Sequence, residues 1–150
     1  MTMTAIAIDP GGTTGLAFSG YGTTLAGSRE RTDTFVMLEE LELRAADLGP
    51  YLTFVVEEYK ITARTAKLSQ QHTALEIIGC IRYFCHKYDC ELVLQRPGDA
   101  KRFATDRRLK QAGFWQKGGG GHANDAARHL FVWMCKNGQL SATEVDKRAC

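Results

Sequence analysis

The chain has 150 residues, 44% of them hydrophobic and 24% charged, and a formal net charge of +2 at pH 7. That size and balance predicts one compact domain over residues 1–150 and excludes a disordered or fibrous chain. No apolar run approaches the roughly 20 residues of a membrane span, and Met1-Thr2-Met3-Thr4 lacks the features of a secretion signal. The expectation is a soluble, cytoplasmic protein.

Thr4-Ala5-Ile6-Ala7-Ile8-Asp9 is an apolar run stopped by Pro10-Gly11-Gly12, a buried strand ending in a tight turn. Gly15–Ser19 and Thr23–Gly27 follow, separated by Gly20-Tyr21-Gly22, and complete an antiparallel meander. A helix is predicted from Thr34 to Leu48, with Leu38, Leu41, Ala45 and Leu48 at helical spacing and Gly49-Pro50 as its stop. Leu52–Glu57 is continuously apolar up to its last residue, as a central strand covered on both faces should be.

A long helix is predicted over Thr65 to Tyr88, with a core stripe of Ala74, Ile77, Ile78, Ile81, Phe84, Cys85 and Tyr88. Leu68 and Leu75 widen that stripe, which suits either a well-buried helix or one that faces a partner subunit. Glu91–Gln95 is a last short strand, broken by Pro97-Gly98. Short helical pieces then lead to Gly118–Gly121, read as a flexible loop, and to a final helix from His122 to Lys136.

The five cysteines, Cys80, Cys85, Cys90, Cys135 and Cys150, form no C-x-x-C pair, so zinc-finger spacing is absent. Charge is unevenly spread. Between Arg96 and Lys117 the chain carries Lys101, Arg102, Arg107, Arg108 and Lys110 as well, against only Asp99 and Asp106. Such a strip suits a polyanion bound on one face, although a solvated helix surface has the same composition.

Chemistry concentrates at element ends. Asp9 and Glu57 terminate the two most buried strands, and parallel neighbours would bring them about 4.8 Å apart. Two carboxylates that close repel, and a divalent cation resolves the conflict. A turn-stabilising role is the competing reading for Asp9. His122 and Asp125 stand three residues apart at the start of the last helix, on one face; a helix N-terminal charge pattern is the competing reading there. His129, a further turn along, reads as a satisfied helix residue. Carboxylates with one imidazole favour Mg²⁺, with Mn²⁺ as substitute. Two such ions can activate a water against a phosphodiester.

Ile8-Asp9-Pro10-Gly11 with Thr14-Gly15, then Val56-Glu57, then His122-Ala123-Asn124-Asp125-Ala126 resemble the RuvC family of Holliday-junction resolvases, within the RNase H-like superfamily. The resemblance covers nearly the whole chain in order and spacing. It implies an α/β RNase H-like fold, a five-stranded mixed sheet with helices on both faces, and a homodimeric endonuclease that cuts four-way DNA junctions with two Mg²⁺ ions. It makes Asp9, Glu57, His122 and Asp125 the metal ligands and Lys101 a phosphate contact at the cleavage site, with Arg107 a looser match. Together with the basic strip it makes Tyr59, Lys60, Lys101, Arg102, Arg107 and Arg108 the candidate DNA contacts. Tyr59 is shifted by one from the family's aromatic. Glu58 follows Glu57 directly, and only the resemblance selects Glu57. The short chain points to a phage-type member.

Other classes stay open. A broader RNase H-like nuclease acting on other branched DNA or RNA–DNA hybrids would use the same metal centre. Asp9–Gly15 also resembles the phosphate turn of actin-like ATPases, which need two lobes where this length supplies one. A non-catalytic junction-binding module would leave the acidic set without a purpose.

Overall fold

The computed structural model of the chain describes residues 3–20, 24–67 and 70–150. Among these, β1 (Thr4–Asp9), β2 (Thr14–Ser19), β3 (Leu25–Arg31), β4 (Leu52–Glu57) and β5 (Glu91–Gln95) form one five-stranded sheet. The order is β3-β2-β1-β4-β5, antiparallel through the first three and parallel from β1 to β4 to β5. The helices are α1 (Thr34–Leu48), α2 (Gln70–Tyr88), α3 (Pro97–Phe103), α4 (Asp106–Ala112), α5 (His122–Lys136) and α6 (Ala142–Asp146).

Side-chain alternation along the central strands divides the core into two layers. Ile6, Ile8, Leu16, Phe54 and Val56 face one way, onto Met37 and Leu41 of α1 and Ile77 and Ile81 of α2. Ala5, Ala7, Ala17 and Val55 face the other way, onto Ala126, Ala127, Leu130 and Phe131 of α5. Phe54 and Phe131, one in each layer, are fully buried, and each contributes about 2–3 kcal/mol by leaving water. The α5 side of β1 and β2 is lined by small residues, so α5 lies close to the sheet. Gly15 is the limiting case: a Cβ there would sit 1.9 Å from the carbonyl oxygen of His122. By the same alternation Asp9 follows Ala5 and Ala7, and Glu57 follows Thr53 and Val55, onto the α5 face.

Several expected boundaries shift. β3 begins later than the predicted Thr23 and runs on to Arg31, because it pairs with all of β2 as an edge strand and tolerates Ser28, Arg29, Glu30 and Arg31. The turn residues Tyr21, Gly22 and Thr23 lie outside the described residues, as does Leu68. The long helix does not start at Thr65. A 3₁₀ turn over Thr65–Lys67 precedes α2, because the Thr62 and Thr65 hydroxyls accept from each other's backbone N–H at 3.2 and 2.7 Å and compete with helical pairing. The helix α6, absent from the sequence reading, is capped by the Ser141 hydroxyl and anchored by buried Val145.

Candidate metal centre

The residues predicted for the site converge at the C-terminal ends of β1 and β4. The last paired residues of those strands are Ile8 and Val56, so Asp9 and Glu57 are the next pair along the parallel ladder. The α5 stripe of His122, Asp125 and His129 lies across them. His122 Nδ1 is 3.0 Å from Asp9 Oδ2, and His129 Nε2 is 2.8 Å from Glu57 Oε2. Asp9 is 9% exposed, and burial first, then the charge of Glu57, pushes its carboxyl up to about 6; Asp125 adds to the rise and His122 opposes it. Three carboxylates therefore share one electrostatic neighbourhood, as expected of a cation site.

Glu58 points away from this cluster. Its carboxylate is 3.9 Å from both Lys60 Nζ and Arg96 Nε. These residues, with Glu57, Tyr59 and Pro97, line a groove beside the strand ends. Tyr59 is half-buried against the α1–α2 core layer.

Start-of-helix geometry for α5 comes from the chain around it. Gly118, Gly119 and Gly121 have φ of 83°, 72° and 89°, a region L side chains rarely adopt. The loop they form has partners on either side. Asn124, 6% exposed, clips it: its amide nitrogen donates to the Gln116 carbonyl and its oxygen accepts from the Gln116 N–H, both at 2.9 Å. The Glu30 carboxylate, on β3, accepts from the His122 N–H at 3.1 Å and from the Gly120 and Ala123 N–H groups, which hold it below the usual carboxylate range. Gly121 has no side chain with which to cap α5, and Glu30 does so from across the sheet.

Cations flank Asp125. Lys101 Nζ lies 3.9 Å from its Oδ2, on an exposed side chain. Arg128, 11% exposed, donates Nε to Asp125 at 3.3 Å and Nη1 to the Ala104 carbonyl at 2.6 Å, and pairs through Nη2 with Asp106. It ties α5 to the α3–α4 junction. Arg128→Met should lower stability by about 1–2 kcal/mol in urea denaturation, because the Ala104 carbonyl and the partly exposed Asp125 carboxylate lose a charged donor; an unchanged midpoint would contradict that role.

The basic strip divides. Arg107 and Lys110 are exposed, and Arg102 is exposed beside Asp99 in the same helix. Arg108 is engaged within the chain. Its Nε and Nη2 bind the Asp146 carboxylate at 2.9 Å and its Nη1 donates to the Phe103 carbonyl at 2.8 Å, so each nitrogen already has an acceptor and the residue holds α6 in place. Nothing local in the sequence distinguishes Arg108 from Arg107; their different surroundings follow from which one meets α6. Glu30, Gln95, Arg128 and the Glu57 contact of His129 were likewise missed. The only sequence signal was the one-turn spacing of Asp125 and His129.

Among the described residues no three His, Cys, Asp or Glu side chains are drawn together as a closed metal cluster. Each candidate carboxylate is held instead by an imidazole, guanidinium or ammonium group. The donor set nonetheless fits a hard cation: oxygens of three carboxylates, one imidazole, and a buried aspartate whose ionised form lacks sufficient compensation. The raised Asp9 group gives a pH dependence with a definite sign. The folded chain binds this proton more tightly than the unfolded one, so its contribution is complete below pH 3.8 and lost as pH rises through about 6. The chelated protein should lose up to about 3 kcal/mol between pH 4 and pH 7, and Asp9→Asn should flatten that slope in thermal melts.

No protein-family model and no curated protein sequence matches the chain. Solved structures do. The chain is similar to T. thermophilus RuvC in complex with Holliday junction substrate, with a TM-score of 0.63 at 12% identity over 91% of this chain and 97% of that one. It is also similar to a Thermus thermophilus RuvC structure, with a TM-score of 0.61 at 15% identity over 91% of this chain and 98% of that one. Coverage of nearly the whole neighbour removes the support that length gave to a phage-type member. The architecture is RuvC-like, an RNase H-like α/β fold.

Proposed function

We propose that the chain is a divalent-metal-dependent DNA endonuclease that resolves four-way junctions. The observation that carries this reading is the meeting of Asp9, Glu57, Asp125 and His122 at one end of a RuvC-like sheet. These residues would hold two Mg²⁺ ions, with Mn²⁺ as substitute. When bound, the ions supply Lewis acidity at the phosphate and an activated water. The chain's own residues do the rest. Asp9 orients the His122 ring through Nδ1, leaving Nε2 for a cation. Lys101, beside Asp125 and 62% exposed, is placed to receive a phosphate, and Lys60, Arg102 and Arg107 extend the contact along the backbone. Such contacts position a duplex arm without reading its sequence. Tyr59, on the groove beside Glu57, would contact DNA only through its exposed part.

The reading includes a homodimer, since paired nicks require two centres. Half-buried Leu75 and 56%-exposed Tyr83 on α2 supply outward apolar surface for it. Light scattering should give twice 16.6 kDa. The decisive experiment is a labelled synthetic four-way junction incubated with Mg²⁺, nicks mapped on each strand, beside flaps, forks and RNA–DNA hybrids. Symmetric paired nicks in the junction are expected. Equal cutting of hybrids would favour the broader nuclease, and no cleavage of any substrate would overturn both.

A further inference from the structure

The parallel register of β4 and β5 sets Gln95 directly beside Glu57, so both side chains reach the α5 face. There His129, 1% exposed, stands between them, with Nε2 2.8 Å from Glu57 Oε2 and Nδ1 3.0 Å from the Gln95 amide oxygen. With that oxygen toward the imidazole, the Gln95 amide nitrogen is buried without any acceptor. The imidazole fares no better. A neutral ring donating Nδ1–H to Gln95 turns the Nε2 lone pair on the Glu57 carboxylate; otherwise a doubly protonated ring must be buried. Rotating the amide by half a turn removes these conflicts. The nitrogen then donates to Nδ1, Nε2–H donates to Glu57, and only a carbonyl oxygen is left unmatched, which folded proteins tolerate better than an orphaned donor.

We propose that Gln95 and His129 form a directed relay, amide N–H to Nδ1 and Nε2–H to Glu57 Oε2, that fixes the Glu57 carboxylate with its other oxygen free for a metal ion. The inference rests on Glu57 being a ligand, as argued above. It makes His129 and Gln95 positioning residues: neither touches substrate, and each acts through Glu57. A carboxylate locked by a neutral donor keeps its full charge for the cation, whereas a freely rotating one must be ordered on binding.

Two measurements on the full chain test it. Nitrogen-15 NMR of the metal-free protein at pH 8 should show His129 as the neutral Nε2–H tautomer. Gln95→Glu, which places a charged acceptor at Nδ1, should move the proton to Nδ1 or protonate both nitrogens. A parent ring protonated at Nδ1, alone or as imidazolium, would overturn the relay. Independently, Mn²⁺ affinity followed by electron paramagnetic resonance should fall 10–100-fold in His129→Leu and recover largely in His129→Gln, whose amide N–H reaches toward Glu57. Equal Mn²⁺ affinity in His129→Leu and parent would also overturn it. If the parent binds no Mn²⁺, the proposed function falls and the tautomer alone decides the relay. If the relay holds and no junction is cut, only the assignment of substrate fails.

Discussion

Asp9→Asn is expected to abolish junction nicking while leaving the chain better folded than the parent in chelator at pH 8. The two effects share one cause. Asp9 is buried beside Glu57 and Asp125, and its ionised form is penalised until a cation compensates it. Asparagine removes the repulsion and a metal ligand in the same step. Nicking should drop by more than about a hundredfold, since even outer-sphere partners of a metal are worth 10–100-fold. Junction binding in gel-shift assays should persist, because the proposed phosphate contacts Lys101, Arg102 and Arg107 are untouched. Mg²⁺ should raise the melting temperature of the parent, more at pH 8 than at pH 5, and should not raise that of the variant. A variant that nicks at the parent rate would remove Asp9 from the site.

Gly15→Ala should be a highly damaging single-methyl change in the sheet. Gly15 pairs with Asp9 across β1 and β2, and a Cβ there would lie 1.9 Å from the His122 carbonyl oxygen and 2.3 Å from its carbonyl carbon. Both obstacles are backbone, so no side chain can turn aside. The first turn of α5 must lift, carrying His122 and Asp125 away from Asp9. About 3 kcal/mol of stability should be lost from overpacking, with nicking falling more than binding. Gly27→Ala on β3 is the control, since a Cβ there meets nothing within 4 Å, and its midpoint should move by less than about 0.5 kcal/mol. Equal behaviour of the two variants would refute the close-approach account.

Much of the site was legible because its positions are tied to local pattern. Asp9 and Glu57 end apolar runs that only a doubly covered strand would carry, and the His122–Asp125 spacing is helical whatever the fold. The long helix was misplaced at its start because Thr62 and Thr65 satisfy each other's backbone, which periodicity does not register. The partners of the tetraglycine stretch, Glu30 and Asn124, lie outside it and leave no mark in its own sequence.

By itself the sequence determined the strands, the two-sided burial of the central pair, and the placement of three acidic residues at element ends. Only the tertiary structure set Glu57, and not Glu58, on the α5 face beside His129, because both faces of β4 are apolar and the difference depends on where α5 lies. Only it separated Arg108, bound to Asp146, from Arg107, left exposed. It also brought His129 onto Glu57, Arg128 onto Asp125 and Glu30 onto the start of α5. The reason is common to all of these. Periodicity encodes how far a residue lies from water, whereas a side chain's partner is set by elements remote in the chain.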